Sequence, residues 1–184
     1  MRTLLLTLSL LVPAAASAQT SRQVGVWVDG QPGLGIGGTP VGATLGVRGS
    51  TGVWWGNYDT GFLLGRSWGV GAAVRVDLFG PQMRVAPSLE LRRTVDLLVI
   101  GYRWRVLAGP EWDGDTLGAS ARLGGTLKVR PNRYIGPTLD AEVGAAFIGG
   151  KVSPRGLIGI GVEVAFPVAG RNPQRRRPGD AVEE

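Results

Sequence analysis

Large apolar residues alternate with small or charged residues along most of the chain. In residues 157–166, glycine, glutamate and alanine separate the apolar positions Ile158, Ile160, Val162, Val164 and Phe166. Successive side chains on a β-strand point to opposite faces, so a period of two indicates a strand. The pattern therefore predicts a strand with one apolar face and one small or polar face.

Seven more segments show the same alternation. It is regular in residues 117–130 and 135–147, and less uniform in residues 24–29, 41–48, 68–78, 83–92 and 96–106. Turn-forming pairs such as Gly80-Pro81 and Pro131-Asn132 separate the segments. Eight strands joined by hairpins predict an all-β fold, an eight-stranded antiparallel up-and-down barrel, which closes without a free edge.

The N-terminal residues have the features of a secretory signal peptide. Arg2 precedes an apolar run at residues 4–12, and Ala16-Ser17-Ala18 provides a small-residue cleavage site. We therefore expect residues 1–18 to be removed and residues 19–168 to form the barrel. Residues 169–184 are rich in proline and charge, which predicts a disordered periplasmic tail.

The composition excludes most enzymatic chemistry. The chain has 184 residues, 31 glycines and a formal net charge of +6, but neither cysteine nor histidine. This removes thiol nucleophiles and the commonest general base and metal ligand. We therefore predict that the protein is not an enzyme and has no cofactor or metal. Its basic residues are mostly scattered arginines in an exported chain, which argues against a nucleic-acid partner.

The polar face distinguishes a membrane barrel from a soluble one. Glycine, alanine, serine and threonine weaken an exposed strand but fit the narrow interior of an eight-stranded barrel, which favours a transmembrane barrel with its apolar face toward lipid. Ten charged residues are predicted to pair in the lumen, with Asp140 and Glu142 as the expected partners of Arg122: Arg75, Asp77, Arg84, Glu90, Arg103, Arg105, Arg122, Asp140, Glu142 and Glu163. We expect membrane-interface aromatics at the periplasmic end (Trp68, Tyr134 and Phe166) and at the outer end (Phe79, Tyr102, Trp104 and Phe147).

Strand direction then assigns the connections. If the first strand rises from the periplasm, residues 92–95 and 130–133 are short periplasmic turns, and residues 109–116 and 149–155 are longer outer loops. Residues 88–100 also suit a helix, although the polar run at 92–94 favours a turn. Residues 49–67 are too long for a periplasmic turn, which indicates either a hairpin extending past the membrane or a shifted register.

Two local sequences have other candidate roles. Residues 33–38 match the glycine spacing of a dinucleotide-binding loop, but no helix is predicted after them, so they are interpreted as a flexible outer loop. Glu111, Asp113 and Asp115 carry oxygen ligands of the kind that calcium prefers. Their spacing is incomplete, which favours a solvated acidic loop tip over a calcium site.

The chain resembles small bacterial outer-membrane β-barrels of the OmpX/OmpA transmembrane-domain type. The resemblance is architectural, and its most specific element is the last strand, residues 160–166, which is similar to the aromatic-terminated signal read by the barrel-insertion machinery. In those proteins the signal usually closes the chain, whereas here 18 residues follow. The resemblance implies insertion by that machinery and a non-enzymatic role.

These observations predict an integral protein of the cell outer membrane with a structural or interaction role. That role is surface-loop display, adhesion, or membership of an envelope or motility assembly. The expected partners are outer-membrane lipid, the barrel-insertion machinery and other envelope proteins. The alternative is a soluble periplasmic or secreted barrel, similar to lipocalins, that binds an apolar ligand in its interior.

Overall fold

The computed structural model describes residues 21–37, 41–58, 64–79, 82–97, 99–114, 116–129 and 134–170. The predicted signal peptide, residues 1–18, lies outside the described residues, as do residues 171–184 of the predicted tail. In the described part of the chain, no helix is long and apolar enough to span a membrane.

The fold is a closed barrel of eight antiparallel strands, in which each strand pairs with the next and the last pairs with the first. This confirms the predicted architecture and strand number. The strands are β1 (Ser21–Gly37), β2 (Gly42–Tyr58), β3 (Leu64–Phe79), β4 (Gln82–Leu97), β5 (Ile100–Asp113), β6 (Thr116–Val129), β7 (Ile135–Ile148) and β8 (Lys151–Gly170).

The start of β1 and the end of β8 lie at the same end of the barrel, here called the terminal end; the opposite end is the far end. Connections at the far end are short, and the longest comprises residues 38–41. The predicted outer loops 109–116 and 149–155 are wrong, because β5 continues to Asp113 and β8 begins at Lys151. Gly114, Gly149 and Gly150 have positive φ angles of 64°, 58° and 77°, which glycine adopts without strain in a tight turn.

Strands also replace two other predicted connections. Residues 92–95 lie within β4, so the predicted turn and the helical alternative are both wrong there. Residues 33–37 belong to β1 rather than to a flexible loop. The predicted turn at 130–133 lies outside the described residues.

The tryptophan-rich region 49–67 consists of two long strands around a short connection. The β2–β3 ladder is continuous from the pair Leu45–Leu78 to the pair Tyr58–Gly65. Of the two interpretations of this region, the structure therefore supports the extended hairpin. The pairing of β2 with β3 shows no shift in register.

The two faces of the sheet differ as the sequence predicts. Leu89 and Ile160 point outward with relative exposures of 74% and 69%, whereas Arg122 and Glu90 point into the lumen with 2% and 1%. The predicted orientation of the apolar face is therefore correct, and the interior apolar cavity needed by the lipocalin-like alternative is replaced by a charged lumen.

The register sets the slope of the strands. A hydrogen-bonded row that starts at Val24 on β1 passes once around the barrel and returns to β1 at Leu34, ten residues further on. This stagger in eight strands corresponds to a strand tilt of about 40°. At that tilt, the outward residues of β2 from Leu45 to Trp55 span ~25 Å along the barrel axis.

Candidate functional site

The lumen is filled with paired charges. Nine buried basic side chains share it with eight buried carboxylates, and a ninth carboxylate, Asp113, lies at the far-end mouth with 22% of its side chain exposed. The basic residues are Arg48, Arg75, Arg84, Arg92, Arg103, Arg105, Arg122, Lys128 and Arg155. Each of them lies within 4.0 Å of a carboxylate oxygen. Because an unpaired charge in a dry interior is costly, this pairing allows the lumen to be both charged and closed.

Glu163 organises the half of the lumen nearer the terminal end. Its carboxylate accepts hydrogen bonds from Arg92 at 3.2 Å and from Lys128 at 3.1 Å, and it also pairs with Arg103. Asp29, on the neighbouring strand β1, lies 3.3 Å from Arg103. These contacts join β1, β4, β5, β6 and β8 across the lumen.

Arg48 connects that group to the middle of the lumen. Its guanidinium lies 3.2 Å from Asp29 and 3.4 Å from Glu90, and it donates a 2.9 Å hydrogen bond to Gln31. Asp140 lies 3.8 Å from the same guanidinium. Arg48 therefore bridges carboxylates from three strands.

Glu142 has the equivalent position in the far half. Its carboxylate is 3.1 Å from both Arg75 and Arg122, and 3.6 Å from Arg105. Arg75 also binds Asp77 at 2.7 Å. Three guanidinium groups thus surround one carboxylate. Because one carboxylate cannot satisfy the donors of three guanidinium groups, each of them also needs another acceptor.

The far-end mouth contains two separate ion pairs. Arg84 binds Asp113 at 2.8 Å, and Arg155 binds Glu111 at 2.6 Å. Glu111 is buried, so the prediction of a solvated acidic loop tip is wrong for it. Asp115, the third predicted carboxylate, lies outside the described residues, within which no group of three His, Cys, Asp or Glu residues is arranged to hold a metal ion.

An aromatic cluster fills the lumen near the terminal end. Trp27 is completely buried, and the Arg92 guanidinium lies 3.4 Å from its ring centroid. Trp54 and Tyr58 pack edge to face with centroids 5.5 Å apart. The Tyr58 hydroxyl donates toward Asp96 at 3.2 Å. The cluster was not predicted, because the aromatic residues singled out from the sequence were all placed at the membrane interface.

All ten charged residues of the predicted network lie in the lumen or at its mouth. The pairing differs in one respect: Asp140 binds Arg105 at 2.5 Å, although Arg122 is the partner that the sequence suggests. Seven other buried charged residues of the lumen were not predicted as part of the network: Asp29, Arg48, Arg92, Asp96, Glu111, Lys128 and Arg155. They could have been identified from the alternation of inward and outward positions, if each predicted strand had been extended to its full length.

Six of the seven predicted interface aromatics are exposed on the outer face: Trp68, Tyr102, Trp104, Tyr134, Phe147 and Phe166. Phe79 differs, because it lies on the lumen side near the far-end mouth, with Arg84 5.1 Å from its ring centroid. Tyr102 and Trp104 were assigned to the outer end, but β5 begins at Ile100, so both lie toward the terminal end. Tyr134 and Phe166 stack with centroids 5.8 Å apart.

The outer face also carries a small group of arginines. Among the described residues of the strands, the charged side chains with outward parity are Arg22, Arg66 and Arg93. Arg93 lies between two indoles, 5.1 Å from the Trp68 centroid and 5.8 Å from the Trp104 centroid. All three arginines lie nearer the terminal end than the far end.

Comparison with known proteins supports the fold. No protein-family model matches the chain, and no curated protein matches it. The crystal structure of Neisserial surface protein A (NspA) superimposes with a TM-score of 0.52 at 10% identity, covering 79% of this chain and 99% of that one. Ail, the attachment invasion locus protein of Yersinia pestis, aligns with a TM-score of 0.22 at 13% identity, covering 81% of this chain and 99% of that one. The likeness to NspA shows a shared barrel fold.

Proposed function

We propose that this protein is a non-enzymatic integral barrel of the bacterial outer membrane that acts as a closed anchor within an envelope assembly. The observation that carries the proposal is the predominantly apolar exterior around a charged interior. Outward apolar residues extend over ~25 Å along the axis, which matches the apolar band of outer-membrane barrels. Lipid tails are the environment in which such an exterior is stable.

The lumen argues against a channel. An eight-stranded barrel has an interior just wide enough for side chains to fill it. Here the filling consists of ion pairs that link opposite walls, such as Arg92 with Glu163 and Arg75 with Glu142. A conducting path requires many of these pairs to separate together, so we expect no ion or solute flux.

The short far-end connections argue against adhesion through displayed loops. Three of the four connections at that end span two residues each. Such turns reach little beyond the band of outward apolar side chains, which still includes Val152 and Leu117 close to that end. Contacts with other envelope proteins are therefore assigned to the sides and the terminal end, which faces the periplasm if both termini stay there.

Membrane insertion is expected to use the barrel-insertion machinery. The last strand supports this, since Ile160, Val162, Val164 and the aromatic Phe166 all face outward in β8, which continues to Gly170. A soluble carrier of apolar ligands is disfavoured because the lumen is lined with charge and the apolar residues are outside.

The test is expression of the full chain with cell fractionation and gel electrophoresis. We expect the protein in the outer-membrane fraction, extraction only by detergent, and a change in gel mobility on boiling. Vesicles containing the protein should be no more permeable to ions than empty vesicles. Recovery as a soluble monomer without detergent contradicts the membrane assignment, and steady ion flux contradicts the closed anchor.

A further inference from the structure

Arg93, one of the outward arginines near the terminal end, is held in place by its neighbours on the outer face. Arg93 pairs in register with Trp68 on β3 and with Trp104 on β5. The indole rings hold its guanidinium by cation–π contacts at 5.1 and 5.8 Å. Its orientation is therefore fixed by two neighbouring strands.

Arg93 lies within the apolar exterior. Its outward neighbours along β4 are Leu91 on one side and Val95 on the other. A charged side chain on the lipid face of a barrel is destabilising unless it reaches the interface or a counter-charge. Among the described residues no carboxylate pairs with it, since the acidic side chains of the strands point into the lumen. The described residues therefore supply no counter-charge for it, which leaves its guanidinium available to an external anion.

Arg66 supplies a second cation beside it. Arg66 pairs with Val95 in the β3–β4 ladder, so it is the diagonal neighbour of Arg93 on the same face. Diagonal residues on an antiparallel pair have Cβ atoms within about 7–8 Å, a distance that two arginine side chains easily close around one anion. Arg66 is exposed and also lacks a carboxylate partner among the described residues.

We propose that Arg66 and Arg93, with Trp68 and Trp104, bind the phosphate of an anionic phospholipid headgroup. Planar guanidinium groups bind phosphate oxygens by paired charge-assisted hydrogen bonds. The indoles occupy the level at which headgroups meet acyl chains. The inference rests on the proposed membrane location, which places the terminal end in the phospholipid leaflet.

The experiment compares lipid retention by the full chain in detergent micelles, measured by native mass spectrometry. The probes are phosphatidylglycerol and phosphatidylcholine with the same acyl chains. We expect the unaltered protein to retain phosphatidylglycerol about tenfold better, because its phosphate is a net negative charge, whereas the choline cation neutralises the phosphate of phosphatidylcholine. The double variant Arg66→Gln/Arg93→Gln should lose this preference, and Arg93→Lys should keep part of it because the charge remains.

Arg22→Gln is the matched control, because Arg22 is another outward arginine near the terminal end but faces Asn57 rather than the tryptophan pair. It should keep the full preference. The inference is overturned if the unaltered protein does not discriminate between the two lipids, or if Arg22→Gln loses as much as the double variant.

The inference and the proposed function fail in distinguishable ways. A change in gel mobility on boiling shows for each variant that the barrel has formed. A protein that requires detergent and shows this change but lacks lipid preference overturns the headgroup site alone. A protein that is soluble without detergent overturns the membrane location, and the headgroup site with it.

Discussion

The Arg92 guanidinium lies over the indole of Trp27 at 3.4 Å from the ring centroid, inside the barrel. Trp27 is fully buried and its indole nitrogen donates a 3.1 Å hydrogen bond to Ser50. The same Arg92 binds Glu163 at 3.2 Å. Arg92 thus contacts an aromatic ring and a carboxylate at the same time, and these two contacts restrict the conformation of its side chain.

Trp27→Ala should destabilise the barrel strongly. It removes a large buried side chain and leaves Arg92 without its aromatic contact, for an expected loss of about 3–5 kcal/mol. Urea titration of the refolded protein in detergent micelles measures this loss. Trp55→Ala is the control, because Trp55 is outward and 41% exposed; an equal loss in both variants contradicts the assigned role of Trp27.

The glycines facing Trp27 should tolerate no side chain. A Cβ added at Gly71 lies 2.7 Å from the Trp27 ring and closer still to the Thr51 backbone oxygen, and one added at Gly69 lies 2.9 Å from the Trp27 ring. Gly71→Ala should therefore cost about 1–3 kcal/mol through overpacking. Gly30 has nothing within 4 Å of an added Cβ, so Gly30→Ala should be neutral in the same titration. Equal stability of the two variants contradicts the close packing around Gly71.

Glu142→Gln should be among the most damaging single-atom changes. It leaves three arginines around a neutral group, and breaking a buried ion pair costs about 3–5 kcal/mol. Asp113→Asn removes a carboxylate charge at the mouth, where the side chain is 22% exposed and pairs with one arginine, Arg84, so it should cost less than Glu142→Gln. Unfolding midpoints in urea compare the two variants, and a smaller effect for Glu142→Gln contradicts the network.

Tyr58→Phe should lower stability by about 1–3 kcal/mol, because it removes a buried donor from Asp96. Tyr102→Phe is matched to it in chemistry but lies on the outer face with 48% exposure, so it should have little effect. Thermal unfolding followed by circular dichroism distinguishes them. Similar shifts in both variants contradict the inward placement of Tyr58.

The strand number and the two faces were predictable, because alternation of apolar and polar residues with a period of two indicates a β-strand with two different faces. The positions at which the strands end were not predictable from this pattern. Glycine and proline usually mark turns, but Gly109 and Pro110 lie within β5, where glycine avoids a clash with the β4 backbone at Pro87. Local turn chemistry is overruled there by the space between strands.

The sequence predicts that the lumen contains paired charges, but it does not identify all of the residues that take part. The run Arg92-Arg93-Thr94 indicates a turn by composition, yet strand parity separates it, sending Arg92 into the lumen and Arg93 outward. The partner of each arginine could not be predicted, because pairing across the lumen depends on the stagger of all eight strands. Asp140 shows this, since it reaches Arg105 rather than Arg122.

The most direct test of the central claim is the accessibility of a nitroxide label on the outer face in lipid vesicles. The chain has no cysteine, so Leu89→Cys and Leu123→Cys provide unique labelling sites at positions that are 74% and 61% exposed. The structure predicts that both labels are accessible to oxygen and shielded from a water-soluble nickel chelate. Free access of the nickel chelate to either label contradicts an exterior in contact with lipid.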